Sequence, residues 1–225
     1  MNIDDIKREF PIFDDKIQNN DLVYLDSANS SQKPRVVVDR IYDFYTKEFS
    51  NVGRSVHYLA VAATNLYEQT RVSVQKYINA KDKDEIVFTK GATEAINLVA
   101  NTFGQKYLSE GDEVLLTELE HHSNYVPWHF LRKAKNIKIE FAEINDDGEV
   151  TLEAIEKKIT NKTKIISVSH LSNVTGAILP IKEIVQLAHS KNIPVLIDGC
   201  QGAPHLKLDM PVSYTHLTLP TRAQV

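Results

Sequence analysis

The stretch Pro194-Val195-Leu196-Ile197-Asp198-Gly199-Cys200-Gln201 decides the fold. Four apolar residues in a row predict a strand buried on both faces. A carboxylate, Asp198, stands where that strand runs out. In open α/β sheets, ligands bind beyond the carboxyl ends of the strands. A buried carboxylate without a partner is costly. Asp198 therefore faces a cation, or else it caps a following helix.

Upstream, strands and helices alternate. Glu85–Thr89, Glu113–Thr117, Lys138–Ile144 and Lys164–Ser169 are predicted strands, with Pro194–Asp198 the fifth. Between them Ala92–Phe103, Ser123–Lys135, Leu152–Ile159 and Ile181–Ser190 carry helical spacing, with Pro127 tolerable near the first turn of its helix. This order predicts a mostly parallel sheet with helices on both faces. Nearer the start, residues 2–13 predict a short amphipathic helix stopped by Pro11, and Leu22–Asp26 a short strand. Val36–Phe49 and Ala60–Ile78 predict helices joined through Asn51–His57. The last residues, Ser213–Val225, have neither helical spacing nor a clean strand alternation, and no acidic residue.

The bulk numbers narrow the class. The chain has 225 residues, 42% hydrophobic and 25% charged, as in an ordinary globular protein. A formal net charge of -4 gives no polyanion footprint, so nucleic acid is not the main partner. One cysteine, Cys200, allows no internal disulfide, which suits a reducing compartment. The acidic start lacks the pattern of a signal peptide, and no apolar stretch is long enough to span a bilayer. A cytoplasmic protein is the expectation.

The loops after the strands hold the chemistry. Thr89-Lys90-Gly91-Ala92-Thr93 turns through a glycine into a helix whose first N–H groups suit a phosphate. A plain connection with Thr93 as cap is the simpler alternative. Glu120-His121-His122-Ser123-Asn124 offers His121 as a ring to lie against a flat ligand, or as a loop histidine. Adjacent histidines do not point the same way, and there is neither H-E-x-x-H spacing nor a second cysteine, so no metal site is expected. Asn173, in Ser172-Asn173-Val174-Thr175-Gly176, aims an amide at a ligand or makes a local turn bond. Gln201 is a neutral hydrogen-bonder near Asp198. Cys200 has no basic neighbour in sequence and is expected to be packing rather than a nucleophile. A phosphate site, a ring, an amide and a carboxylate after successive strands suit a flat, phosphorylated, cationic heteroaromatic, and pyridoxal phosphate is such a molecule.

The ordered phrases Tyr24-Leu25-Asp26, Gln32-Lys33-Pro34, Gly91–Ala100, Glu120–Trp128, Ser172–Gly176 and Asp198–Gln201 resemble cysteine desulfurases of the SufS type. These belong to the class V branch of the fold-type I pyridoxal phosphate enzymes. The resemblance runs from about residue 5 to about residue 210. It implies that residues 1–210 are an N-terminal segment plus part of the cofactor-binding large domain, with no C-terminal small domain. It implies that Ala92 and Thr93 hold the phosphate, and that His121 stacks on the pyridine ring. It places Asn173 and Gln201 near the ring hydroxyl and Asp198 on the pyridinium nitrogen. The implied reaction takes L-cysteine to L-alanine and leaves persulfide sulfur for an acceptor protein of the SUF iron–sulfur assembly system. A homodimer is implied as well. Selenocysteine lyases and other class V enzymes are the near alternatives. A nucleotide-binding module is the distant one, against which no G-x-G-x-x-G or G-x-x-x-x-G-K-[ST] occurs.

The sequence departs from the family in three places. The family's Schiff-base lysine lies in a Ser-Gly-His-Lys phrase roughly two dozen residues past the Asp. Here that region reads Thr221-Arg222-Ala223-Gln224, and Lys207 is too close to the strand to replace it. The family's catalytic cysteine and substrate-binding arginine lie further on, and Cys200 stands where alanine is common. Gly53 precedes Arg54 where a histidine is common. No catalytic residue is therefore expected in this chain, and residues 211–225 are expected to be a non-native tail.

Overall fold

The computed structural model describes residues 2–210 and the backbone of His216–Thr218. Contacts divide the chain into two compact units, Met1–Val74 and Gln75–Val225.

In the first unit, Asn2 caps α1 (Ile3–Arg8) through its side-chain oxygen, which accepts the Asp4 N–H at 3.3 Å. Pro11–Phe13 adds one 3₁₀ turn. A small antiparallel hairpin follows, β1 (Lys16–Ile17) with β2 (Asn20–Asp21). Its two turn residues, Gln18 and Asn19, have φ of 51° and 65°, the twist that two-residue hairpins favour. The predicted strand Leu22–Asp26 does not form, and Val23 and Leu25 are exposed. A lone extended run without a ladder partner has nothing to hold it as sheet. α2 (Arg35–Asp43) continues through a π turn at Phe44–Glu48. Gly53 then turns the chain at φ +120°, a backbone that a histidine there would strain. α3 spans Tyr58–Tyr77.

The second unit contains the sheet. α4 (Ala92–Val99) runs through a π turn at Ala100–Gly104 into α5 (Gln105–Tyr107). There follow β3 (Glu113–Thr117), α6 (His122–Lys135), β4 (Lys138–Ala142), α7 (Leu152–Lys158), β5 (Thr163–Ser169), α8 (Ile181–Ser190), β6 (Val195–Asp198), α9 (Gly202–His205) and β7 (His216–Thr218). The strands are all parallel, in the order β4-β3-β5-β6-β7. The last four of the five predicted strands and the predicted helices stand as expected to within a few residues, although Pro127 falls in the second turn of α6.

Successive residues of each strand feed opposite cores. Leu115, Ile166, Val168, Val195 and Ile197 pack with Ile155 of α7 and Ile184, Val185 and Ala188 of α8. Val114, Leu116, Ile165 and Leu196 pack on the other face with Ile96 of α4 and Trp128 and Leu131 of α6. Gly104 lets the turn after α4 approach α6, since a Cβ there would stand 2.5 Å from Leu131 Cδ2. Both faces are covered, as parallel sheets require.

A further expectation is corrected. Glu85–Thr89 is not a strand: Lys83–Glu85 is a 3₁₀ turn, and the run after it joins no ladder among the described residues. Its apolar pattern is that of a strand, but pattern supplies no partner. Conversely, the tail shows no clean strand alternation in sequence, yet His216–Thr218 pairs with Leu196–Asp198. An edge strand offers a row of unpaired backbone groups, and three residues can use them without any side-chain alternation. The rest of 211–225 lies outside the described residues.

Candidate active site

Four of the sequence-derived residues lie at or just past the ends of β3, β5 and β6, which are neighbours in the sheet. Because the strands are parallel, the His121, Asn173 and Asp198–Gln201 loops all leave the same edge. α4, whose first turn carries Ala92 and Thr93, packs through Ile96 into the core beneath α6.

Asp198 is buried, at 4% exposure, and ends β6 opposite Ser169 of β5. Its Oδ1 accepts the Cys200 N–H at 2.9 Å, and its carbonyl accepts the His170 N–H at 2.9 Å. It therefore bends the chain locally rather than capping α9, whose N-cap is Gln201. A buried carboxylate aimed past a strand end keeps a strong preference for positive charge, because the surrounding dielectric is low. Gln201 is half-buried, and so is Cys200.

The N-cap of α4 is Gly91, and no side chain caps the helix. Thr93 is thus not the cap, contrary to the simpler sequence reading; it is exposed in the first turn. The uncapped turn suits an anion.

His121 is the N-cap of α6. Its Nδ1 accepts the Ser123 N–H at 3.2 Å and lies 2.7 Å from Ser123 Oγ. With Nδ1 an acceptor, the neutral ring carries its hydrogen on Nε2. The ring is exposed and stands edge-on to His122, with centroids 6.0 Å apart. Among the described residues no group of His, Cys, Asp and Glu could hold a metal ion.

Asn173 sits exposed at the tip of a turn closed by the Leu171–Ile178 bridge. The turn bonds that were open to Asn173 are made by Ser172, whose Oγ accepts the Val174 and Thr175 N–H groups at 3.2 and 3.3 Å.

Two residues escaped the sequence reading. His170 lies across the start of α9: a Cβ at Gly202 would come within 2.8 Å of its Nδ1. Burial holds its imidazole below the ordinary range, which favours the neutral ring. Glu120 turns its carboxylate inward. Oε1 accepts from Thr117 Oγ1 at 2.6 Å and the Ser169 N–H at 3.0 Å. Oε2 accepts from Asn124 Nδ2 at 2.6 Å and Ser169 Oγ at 2.8 Å. Burial pushes the carboxyl up to about 7, and the hydrogen bonds hold it from rising further. The only sequence signal for Glu120 was its place inside a phrase shared with the family, and His170 had none.

The sign of the Glu120 effect on stability is definite. Its folded value lies above the ordinary 4.5, so the folded state binds more protons between those limits. The stabilisation is full below pH 4.5 and is lost as pH rises through about 7. Urea unfolding across that window should show stability falling by up to about 3 kcal/mol more in the unsubstituted chain than in Glu120→Gln. Equal slopes would contradict this.

The cleft lined by Thr160, Lys164, Lys191 and Ile193, with a volume of about 540 Å³, lies at the amino ends of β5 and β6. It is on the wrong edge for these residues, and the strand-end chemistry decides the site.

Residues 23–213 match the family model "Aminotransferase class-V". The chain belongs to that family. It is 45% identical over 210 residues to a probable cysteine desulfurase of Halalkalibacterium halodurans, covering 93% of this chain and 52% of that one. Its structure is similar to the apo cysteine desulfurase of Thermococcus onnurineus NA1, with a TM-score of 0.89 at 33% identity over 97% of this chain and 53% of the other. It is also similar to the cysteine desulfurase CsdA from Escherichia coli, with a TM-score of 0.82 at 34% identity over 94% and 52%. The fold is that of fold-type I pyridoxal phosphate enzymes. The chain spans between about a third and a half of the length of the curated relatives it matches. No helix among the described residues is long and apolar enough to cross a membrane.

Proposed function

We propose that this chain is the cofactor-binding part of a pyridoxal phosphate-dependent cysteine desulfurase, which takes L-cysteine to L-alanine and passes sulfur to an acceptor protein. The observation that carries this reading is Asp198, a buried carboxylate at a central strand end. The residues present fit the cofactor. The uncapped turn at Ala92 and Thr93 would take its phosphate, and the exposed ring of His121 would lie on the pyridine. Asn173 and Gln201 would reach the ring hydroxyl, and Asp198 would pair with the ring nitrogen. When bound, the cofactor supplies an electron sink for bonds broken at the substrate's Cα. Asp198 serves that chemistry by holding a proton on the ring nitrogen. The Cys200 N–H fixes one of its oxygens, and burial excludes the water that would screen it. The Ser123 N–H steadies the His121 ring at its Nδ1 edge.

The same reading extends to a SUF-type acceptor, a homodimeric parent and a cytoplasmic setting. The desulfurase names of the relatives support it over a selenocysteine lyase. The parent is tested by incubating the full-length product of the locus with L-cysteine. Alanine and a protein persulfide are expected; an absence of alanine would refute the assignment.

The 225-residue chain by itself is proposed to be inactive, because no Ser-Gly-His-Lys phrase occurs in it and its one cysteine adjoins the core strand β6. With L-cysteine and pyridoxal phosphate, sulfide release should not exceed that of free cofactor. Protein-dependent turnover would overturn this. Residues 211–225 are proposed to be foreign because they have no acidic residue and lack the family's Ser-Gly-His-Lys phrase; the family match includes 211–213 and ends there. Sequencing the locus tests it: a genomic frame encoding these residues as written would refute it.

A further inference from the structure

We infer that Glu120 is a positioning residue of the cofactor site, clamping the ends of β3 and β5 to the first turn of α6 and so setting the backbone from which His121 presents its ring. The inference rests on the reading of the site as a pyridoxal phosphate site.

Glu120 accepts four hydrogen bonds, two on each oxygen. That fills the lone-pair sites of a carboxylate. One donor to each oxygen is fixed. The Ser169 N–H on Oε1 belongs to the backbone. The Asn124 amide on Oε2 cannot flip, because its own Oδ1 already accepts from Ser167 Oγ at 2.5 Å and faces Trp128 Nε1 at 3.5 Å. Asn124 is fully buried. A glutamine at 120 has nearly the same shape but only one acceptor oxygen. In either orientation its NH₂ group confronts one of the fixed donors, and the clamp must open.

What the clamp holds is the site. His121 is the next residue and the N-cap of α6. Ser169 stands opposite Asp198 in the β5–β6 register, and His170, beside it, donates to the Asp198 carbonyl. One carboxylate thus ties the loop that offers the ring to β5, the strand that pairs with the one carrying the anionic partner.

The test uses the 225-residue chain at pH 8 with Glu120→Gln and Ser169→Ala, the latter removing one hydroxyl donor and keeping the backbone N–H. Three quantities are read: the dissociation constant for pyridoxal phosphate, the NMR signal of the His121 imidazole without cofactor, and the melting temperature. Glu120→Gln should weaken binding about tenfold and Ser169→Ala less, in the range of a lost hydrogen bond to a charged group. Both should displace the His121 signal. If both variants melt lower but keep the original affinity and His121 signal, the clamp is structural and the inference is wrong. If Glu120→Gln does not fold, Ser169→Ala decides by the same criteria. If the unsubstituted chain binds no pyridoxal phosphate, the reading of the site fails, and the His121 signal alone decides the inference about Glu120.

Discussion

Asp198→Asn is expected to weaken pyridoxal phosphate binding by about ten- to a hundredfold while leaving the fold intact. The substitution keeps an oxygen to accept the Cys200 N–H, so the local bend survives. It removes the charge and turns the other oxygen into an amide donor. A hydrogen bond to a charged partner contributes about 1.5–3 kcal/mol, which corresponds to that range of affinity. Burial at 4% exposure favours the upper end, because little water reaches the carboxylate to screen it. Asp198→Ala should bind no better than Asp198→Asn and should melt lower, since the Cys200 N–H then loses its acceptor. Equilibrium dialysis and thermal melting separate the two effects. Unchanged affinity in Asp198→Asn would mean that the carboxylate serves the fold and not a ligand.

Trp128→Ala should have the largest effect on stability, costing about 3–5 kcal/mol. Trp128 is the chain's one tryptophan and is fully buried. It joins Ile96 of α4 to Leu116 of β3 and Leu131 of α6. Removing the indole leaves a cavity on that face and takes away the N–H that faces Asn124 Oδ1. Trp128→Phe should cost less, because it fills much of the volume and loses only the polar contact. Urea unfolding followed by circular dichroism gives both values. A cost below about 1 kcal/mol for the alanine variant would show that the helices close over the gap.

Much of the sheet was legible because parallel strands buried on both faces are nearly continuous apolar runs. Val195-Leu196-Ile197 and Ile165-Ile166 announce themselves in this way, and Leu196 and Ile165 then fall on one face while Ile166 and Ile197 fall on the other. α8 was legible for a different reason: Ile181, Ile184, Val185 and Ala188 repeat at helical spacing and all are buried. What could not be read was whether a suitable run would find a neighbour. Glu85–Thr89 and Leu22–Asp26 have strand composition but no ladder, whereas His216–Thr218 has little strand pattern and pairs with β6.

The site divides in a similar way. Asp198 and Gly91 stood out because a strand end followed by a carboxylate, or by a glycine turn into a helix, is a local signal. Glu120 did not, because its meaning is made by Ser169, 49 residues away. In sequence it is a charge beside two histidines; folded, it is the half-buried hub of the loop. His170 was silent for the same reason, its setting being the missing side chain of Gly202.

The most direct test of the central claim is a titration of the ¹⁵N-labelled 225-residue chain with pyridoxal phosphate, followed by amide NMR. Shifts should be confined to Gly91–Thr93, His121–Ser123, Asn173 and Gly199–Gln201, the loops at the carboxyl edge of the sheet. Shifts centred instead on Thr160–Lys164 and Lys191–Ile193, around the cleft at the opposite edge, or no shifts at all, would contradict it.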